Sequence, residues 1–437
     1  MKLTFRRLWS RVAAITLLGV ILSPERARAE INLGVMGDSL SDEYMFNGRT
    51  YATNWTEQFA TYDSANLGPL VTSPANPPPR GEGYNQNWAL AGATSSTVLS
   101  GGQASGLAAQ IPNAGGAGID YAVFAIGAND FGPGTTAYND IYGGVWSQSQ
   151  ITSYVNSVVS NISTALGDIL PTGVKVVVAT VPDYGITPTV QADYPDATKR
   201  QLVANAVAQV NTGINGIAQS DHIVVADLSA MISKVFGSEG SFNTTVKIGN
   251  VTINLTQSTS STSSTAGFCV DGIHPYTTLQ GTLGNLFAQA LDTGYNAGVP
   301  LFSEAQILQH AGLTYGGSDT LAATLGPYSN YVISYAPPPP GLGDANGDGI
   351  VNGLDINKLA GHWLAVGSNV AGDVNGDGVV NGLDVNTIAG NWLATYGTGS
   401  GAGSGSAVPE PATWLLGCCG GTLLLFLRRV GTRPPGR

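Results

Sequence analysis

Four short runs rich in Val and Ile recur along the chain, at 31–37, 119–127, 174–181 and 222–228, each bounded by Gly, Pro or Asp. Helix-length amphipathic segments lie between and after them, at 151–169, 198–218 and 277–291. Runs that are apolar on both faces suit buried parallel strands, and a parallel strand reaches its neighbour only through a long crossover, usually a helix. The alternation therefore predicts an α/β sandwich around one central parallel sheet. Ligands of such sheets bind beyond the carboxyl ends of the strands, and Ser39, Asn129 and Asp183 each follow a predicted strand.

Composition narrows the setting. Charged residues make up only 11% of the 437, roughly half of the ~25% usual in a soluble domain. Gly, Ser, Thr and Asn fill the surface instead, which suits a secreted protein. The net charge of -11 argues against a nucleic-acid partner, which would require a basic patch. Lys2, Arg6, Arg7 and Arg11 precede an apolar run at 12–22 and the small-x-small site Ala27-Arg28-Ala29. This is the pattern of a secretory signal peptide over 1–29, with a retained anchor as the alternative. At the other end Val408-Pro409-Glu410-Pro411 precedes an apolar stretch from Ala412 to Leu427, closed by Arg428-Arg429. A stretch of that length is marginal for a hydrocarbon core of about 30 Å, and the arginines would keep its end in the cytoplasm. Cys269 is the one cysteine outside that stretch, so no intrachain disulfide is expected; a small buried hydrophobe is its expected role.

The first strand ends in Gly37-Asp38-Ser39-Leu40, and Asp271-Gly272-Ile273-His274-Pro275 comes some 230 residues later. A serine hydroxyl becomes nucleophilic only when a base takes its proton, and a carboxylate fixes the tautomer of that base. His274 sits three residues after Asp271 in a Gly/Pro-flanked loop, so the two can meet locally. Of the other histidines, His362 belongs to a repeat and His222 opens a strand. Asp38 reads as part of the nucleophile turn. Two further blocks are Asn87-Trp88-Ala89-Leu90-Ala91-Gly92-Ala93-Thr94 and Ile126-Gly127-Ala128-Asn129-Asp130. Taken singly, Gly92 could be a turn glycine and Asn129 a strand-end cap.

In family order, these four blocks resemble the SGNH, or GDSL, hydrolases over residues 31–295. The resemblance implies a flavodoxin-like three-layer α/β/α sandwich and a Ser39–His274–Asp271 triad. It also implies an oxyanion hole made of the Ser39 and Gly92 N–H groups and the Asn129 amide, with no cofactor for catalysis. Val181-Pro182-Asp183-Tyr184-Gly185 is similar to the lipase-like branch of the family. The chain contains no Gly-x-Ser-x-Gly elbow, which disfavours the ordinary α/β-hydrolase fold.

Residues 344–364 and 373–393 align without gaps, with 15 of 21 positions identical. Asp344, Asn346, Asp348, Asn352 and Asp355 occupy positions 1, 3, 5, 9 and 12 of a calcium loop, with Gly349 at the sharp turn and the Ile350 carbonyl at position 7. Asp373, Asn375, Asp377, Val379, Asn381 and Asp384 repeat the set. Asp at position 12 and a single helix after each loop resemble a small all-α type I dockerin with two structural Ca2+ sites. That implies a cohesin-like partner, although Gly353-Leu354 and Gly382-Leu383 replace the hydroxyl residues of the best-known pairs. Leu354, Leu359 and Trp363 with Leu383, Ile388 and Trp392 are the expected core of this module. The C-terminal stretch resembles a PEP-CTERM sorting tail. This implies a bacterium with an outer membrane, a membrane sorting protease, and release to the cell surface or extracellular matrix; a plain one-span anchor is the alternative.

The expected domains are a signal peptide (1–29), the hydrolase (30–298) and its extension (299–336), which has helix-like character. A Pro-rich linker (337–342), the calcium module (343–396), a Gly/Ser linker (397–407) and the tail (408–437) follow. A hairpin at 244–255 and a Ser/Thr run at 258–265 look inserted, as a surface excursion or as a flap over the acyl pocket. The resulting expectation is a secreted serine ester hydrolase acting on carbohydrate or other short-chain esters, with acetylated glycans favoured by the docking module. Acyl lipids, an acyl acceptor other than water, and an inactive matrix or adhesion protein are the alternatives.

Overall fold

A computed structural model describes residues 30–62, 64–72, 81–111, 118–336, 343–347, 349–366, 372–374 and 379–393. The expected signal peptide, both linkers and the sorting tail lie outside the described residues, as do Asp348, Asn375 and Asp377 of the calcium loops. Among the described residues no helix is long and apolar enough to cross a membrane. The chain divides into two compact units, with the boundary between Pro339 and Pro340.

In the first unit β1 (Leu33–Gly37), β2 (Tyr121–Ala125), β3 (Lys175–Ala179) and β4 (Val224–Ala226) lie parallel, side by side in that order. Side chains alternate between two cores, as a period of two requires. Val35, Val123, Val177 and Val224 face one way, against Trp55 and Phe59 of α1 (Trp55–Thr61), Met231 of α5 (Leu228–Phe236) and Phe287 of α6 (Thr277–Tyr295). Met36, Phe124, Val178 and Val225 face the other, against Leu107 of α2 (Gln103–Gln110), Ile162 of α3 (Gln148–Ile169) and Val210 of α4 (Ala197–Ser220). The result is the expected three-layer α/β/α sandwich.

The four expected strands and three expected helices are present, the strands shorter at their ends. An edge strand, Val332–Ser334, pairs antiparallel with β4 inside the stretch that read as helical. Three residues are too few for a periodic signal, although Val332 and Ile333 pack against opposite cores. On the outer side of β1, Asn66, Gln86 and Trp88 exchange backbone hydrogen bonds with Ile31, Leu33 and Val35, and so cover that edge. The inserted hairpin is formed by Thr245–Ile248 and Val251–Thr259. Its second strand also pairs, in parallel, with Ala266–Cys269, which leads into the Asp271–His274 loop. Val246, Ile248, Ile253 and Leu255 sink into the core, so the hairpin braces that loop from behind.

The second unit holds two short helices, Gly353–Ala360 and Gly382–Gly390. Each is capped by the Asn of its own loop, Asn352 or Asn381, in a capping box completed by Asp355 or Asp384. The repeats lock reciprocally: the Leu364 N–H donates to the Val380 carbonyl, and the Leu393 N–H to the Val351 carbonyl. The core differs from expectation. Val351, Leu359, Val380 and Ile388 form it, whereas Leu354, Leu383, Trp363 and Trp392 are exposed. The buried stripe runs through Asp355 and Leu359, four residues apart, and Leu354 is a full 100° off that stripe.

Three carboxyl groups in the segment after β1 are buried. Burial raises Asp38 to about 7, Glu43 to about 8 and Glu57 to about 7, although backbone N–H groups on each pull the other way. An acid with a raised folded pKa adds stability that is complete below its unfolded value and is lost as pH rises through the folded value. Thermal unfolding should accordingly occur at a higher temperature at pH 5 than at pH 9. Glu43→Gln, which keeps an acceptor for the Tyr84 N–H, should shrink that difference. An undiminished difference in the variant would show that Glu43 does not titrate in this way.

Candidate active site

Ser39 follows β1 because the backbone has to leave the sheet abruptly there. Gly37 has φ +154°, and a Cβ on it would lie 2.3 Å from the Ala125 carbonyl oxygen. The buried Gln103 side chain holds both polar groups of Gly37, accepting from its N–H at 3.0 Å and donating to its carbonyl at 3.1 Å. Asp38 then closes the turn. Its carbonyl accepts from the Ser41 and Asp42 N–H groups, and its carboxylate accepts from Leu40. Ser39 is thereby presented with little exposure, 7%.

The distant loop meets it. His274 Nε2 lies 2.7 Å from Ser39 Oγ, and His274 Nδ1 lies 2.9 Å from Asp271 Oδ2. The other oxygen of Asp271 accepts from the Ile273 and His274 backbone N–H groups, both at 2.9 Å. Burial works to raise the Asp271 pKa, but the bonds and charge of His274 and these two N–H groups outweigh it. The carboxyl is held well below the usual range and stays ionised. Tyr44 Oη donates to the Pro275 carbonyl, and Thr189 Oγ1 to the Asp271 carbonyl, which ties the loop to two other segments.

The sequence reading missed Arg49. Its Nε donates to Asp271 Oδ2 at 3.1 Å, and its Nη2 lies 2.7 Å from His274 Nδ1. Asn47 Oδ1 accepts from Nη1 at 2.7 Å, and the guanidinium sits over the Tyr44 ring. No motif marks this arginine; only the return of the 42–53 loop brings it to the carboxylate. Cys269, one turn away, is fully buried, and burial with the Asp271 charge pushes its thiol up to about 12. It is therefore a protonated, inert thiol.

The expected oxyanion donors are placed by a second set of contacts. Asp42 Oδ2 accepts from the Ala91 N–H at 2.8 Å, and Gly92 adopts φ +79°. Asn129 begins a 3-10 turn after β2, and its Nδ2 donates to the Ala93 carbonyl at 2.9 Å. Asp130 beside it accepts from the Ser95 N–H and hydroxyl, both at 2.8 Å. Asp183 and Tyr184 line the same cavity as Ser39 and His274. That cavity encloses about 780 Å³ including its open mouth, and its walls are mostly apolar: Met231, Ile232, Val235 and Phe236 of α5, with Phe268 and Leu283. No residue of the 244–259 hairpin lines it, so the flap reading finds no support there.

In the second unit Asp344 and Asp355 are completely buried. Asp344 accepts from the Gly347 and Gly349 N–H groups, and Asp355 from those of Asn346 and Asn352. Buried carboxylates need a counter-charge, and an oxygen-lined loop with a sharp glycine turn fits a calcium ion.

The family description GDSL-like Lipase/Acylhydrolase matches residues 33–286, and Dockerin type I domain matches residues 342–391. No curated protein matches the chain. Among solved structures, the acetylxylan esterase of Geobacillus stearothermophilus is 14% identical, with a TM-score of 0.34. The alignment covers 60% of this chain and 94% of that one. A GDSL-like lipase of Bacteroides thetaiotaomicron is 13% identical over 60% of this chain and 87% of its own, also with a TM-score of 0.34.

Replacing Gln103 with Ala strands the Gly37 N–H in the core, while the Leu90 N–H still donates to the Gly37 carbonyl at 3.1 Å. At about 1–3 kcal/mol for one orphaned group, urea unfolding should show a loss of that size with an unchanged m-value. A loss below about 0.5 kcal/mol would mean that Gln103 does not hold the strand exit.

Proposed function

We propose that this chain, which belongs to the GDSL-like lipase/acylhydrolase family and is an ester-bond hydrolase, works through an acyl-enzyme on Ser39. One observation carries this reading: the continuous contact from Ser39 Oγ through His274 to the ionised Asp271. Ser39 Oγ attacks the ester carbonyl carbon while its proton passes to His274 Nε2. The carbonyl electrons move onto oxygen, where the Ser39 and Gly92 N–H groups and the Asn129 amide hold the charge; one such donor is typically worth about 2.7–4 kcal/mol. The C–O bond to the alcohol breaks, and the imidazolium returns its proton to the departing oxygen. Water then repeats the sequence on the acyl-enzyme, with His274 again as base, releasing the acid and restoring Ser39.

The substrate reading shifts with the cavity. Carbohydrate or other short-chain esters remain the reading from the docking domain, but a pocket walled by Met231, Val235, Phe236 and Phe268 supports an apolar acyl group longer than acetyl. The alcohol side would then be free to vary.

The second unit attaches this activity to a partner. Calcium, held by Asp344, Asn346, Asp348, Asn352 and Asp355 with the Ile350 carbonyl, and by the matching set from Asp373 to Asp384, would neutralise the buried carboxylates and order the module. The exposed Leu354 and Leu383 occupy the positions expected to meet a cohesin-like protein. A secreted or cell-surface location suits both units. The signal peptide and the removable sorting tail are proposals from sequence alone.

Two experiments follow. Aryl esters from acetyl to decanoyl, given to the mature protein and to Ser39→Ala, should show turnover that vanishes in the variant and peaks beyond acetyl. Met231→Trp should move the peak toward shorter chains. An acetyl optimum untouched by Met231→Trp would return the substrate to acetylated glycans, and equal turnover in Ser39→Ala would overturn the acyl-enzyme. Separately, chelation should unfold the 343–393 module, read as loss of protection from proteolysis, and leave ester hydrolysis within about twofold of its rate with calcium. Protection that survives chelation would contradict a folding role for the ion.

A further inference from the structure

Asn129 offers one oxygen and two hydrogens, and which of them faces a substrate depends on its neighbours. Tyr184 Oη lies 3.1 Å from Asn129 Oδ1. Burial pushes the Tyr184 phenol far above its ordinary range, with the charges of Asp38, Asp271 and Asp130 adding to the effect. The phenol therefore keeps its proton and serves as a donor. On the other side Asn129 Nδ2 donates to the Ala93 carbonyl. Turning the amide over would set its oxygen against the Ala93 carbonyl oxygen, losing that bond, and would make the phenol swing its proton away to accept from the NH2. As the amide stands, one Nδ2 hydrogen is left over. The bond to Ala93 also reaches the residue after Gly92, so one amide ties two of the proposed donors together.

Tyr184 is itself held firmly. Asp183 Oδ1 accepts from the Gly185 N–H at 2.8 Å, and the Thr187 N–H and hydroxyl both donate to the Tyr184 carbonyl. Behind the turn, Glu239 fills the space where a Gly185 Cβ would be, fixed by a buried ion pair with Arg200 at 2.8 Å.

We propose that Tyr184 is a positioning residue of the oxyanion hole, locking the Asn129 amide in the orientation that leaves an N–H for the ester oxygen. This rests on the oxyanion role given to Asn129 above. The test is a double-mutant cycle of Tyr184→Phe and Asn129→Ala, with kcat and KM measured on one aryl ester and folding checked by thermal melting. Tyr184→Phe should lower kcat about tenfold, a fraction of the loss expected from deleting a donor outright, while KM stays within about twofold. On the Asn129→Ala background it should lower kcat no further, because residues that act as a unit are not additive. If Asn129→Ala turns over like the parent protein, the role of Asn129 falls and this inference with it. If Asn129→Ala is slow and Tyr184→Phe slows both backgrounds equally, the role of Asn129 stands and the inference alone is overturned.

Discussion

The close approach of Gly37 to the Ala125 carbonyl is the constraint on which the site is built. Strand β1 runs into the end of β2 with no room for a Cβ, so the chain turns out of the sheet within two residues and carries Ser39 to the carboxyl edge. Gln103 accepts from the Gly37 N–H there and shares its carbonyl with the Leu90 N–H. Everything else at the site is brought to that point. The Asp271–His274 loop arrives from behind, braced by the strand Ala266–Cys269 and the inserted hairpin. The 87–94 segment is tied to the same turn through Asp42 and through Asn87, whose Nδ2 donates to the Ser41 carbonyl.

Much of this was legible in the sequence, for physical reasons. Strands buried on both faces must be continuously apolar, so the four parallel strands declared themselves. Chemistry-bearing residues at strand ends lie on one edge of a parallel sheet, so Ser39 and Asn129 could be assigned to it. Asp271 and His274 meet locally and need no tertiary knowledge. Arg49 carries no motif, and Tyr184 stood out only as part of the 181–185 run with no role attached, because each reaches its partner across the fold, over 222 residues for Arg49 to Asp271 and 55 for Tyr184 to Asn129. The edge strand at 332–334 was hidden for a similar reason, since its partner β4 is distant in sequence and three residues are too few to show a period.

The calcium module shows the opposite error. Its loops follow from spacing, but hydrophobic identity alone misplaced Leu354, Leu383 and the two tryptophans in its core. A helix of two turns buries only one stripe, and the stripe is set by Asp355 and Asp384, which turn inward at the loop end. The apolar residues left outside are disposed in matching pairs, as a duplicated unit requires. Such a surface is consistent with a protein partner.

Covalent capture tests directly whether Ser39 is a nucleophile activated by His274. An alkyl fluorophosphonate reacts with an activated serine, and intact mass with peptide mapping reports where the adduct sits. A single adduct should form on Ser39, orders of magnitude more slowly in His274→Ala. An adduct elsewhere, or labelling of Ser39 at the same rate without His274, would contradict it.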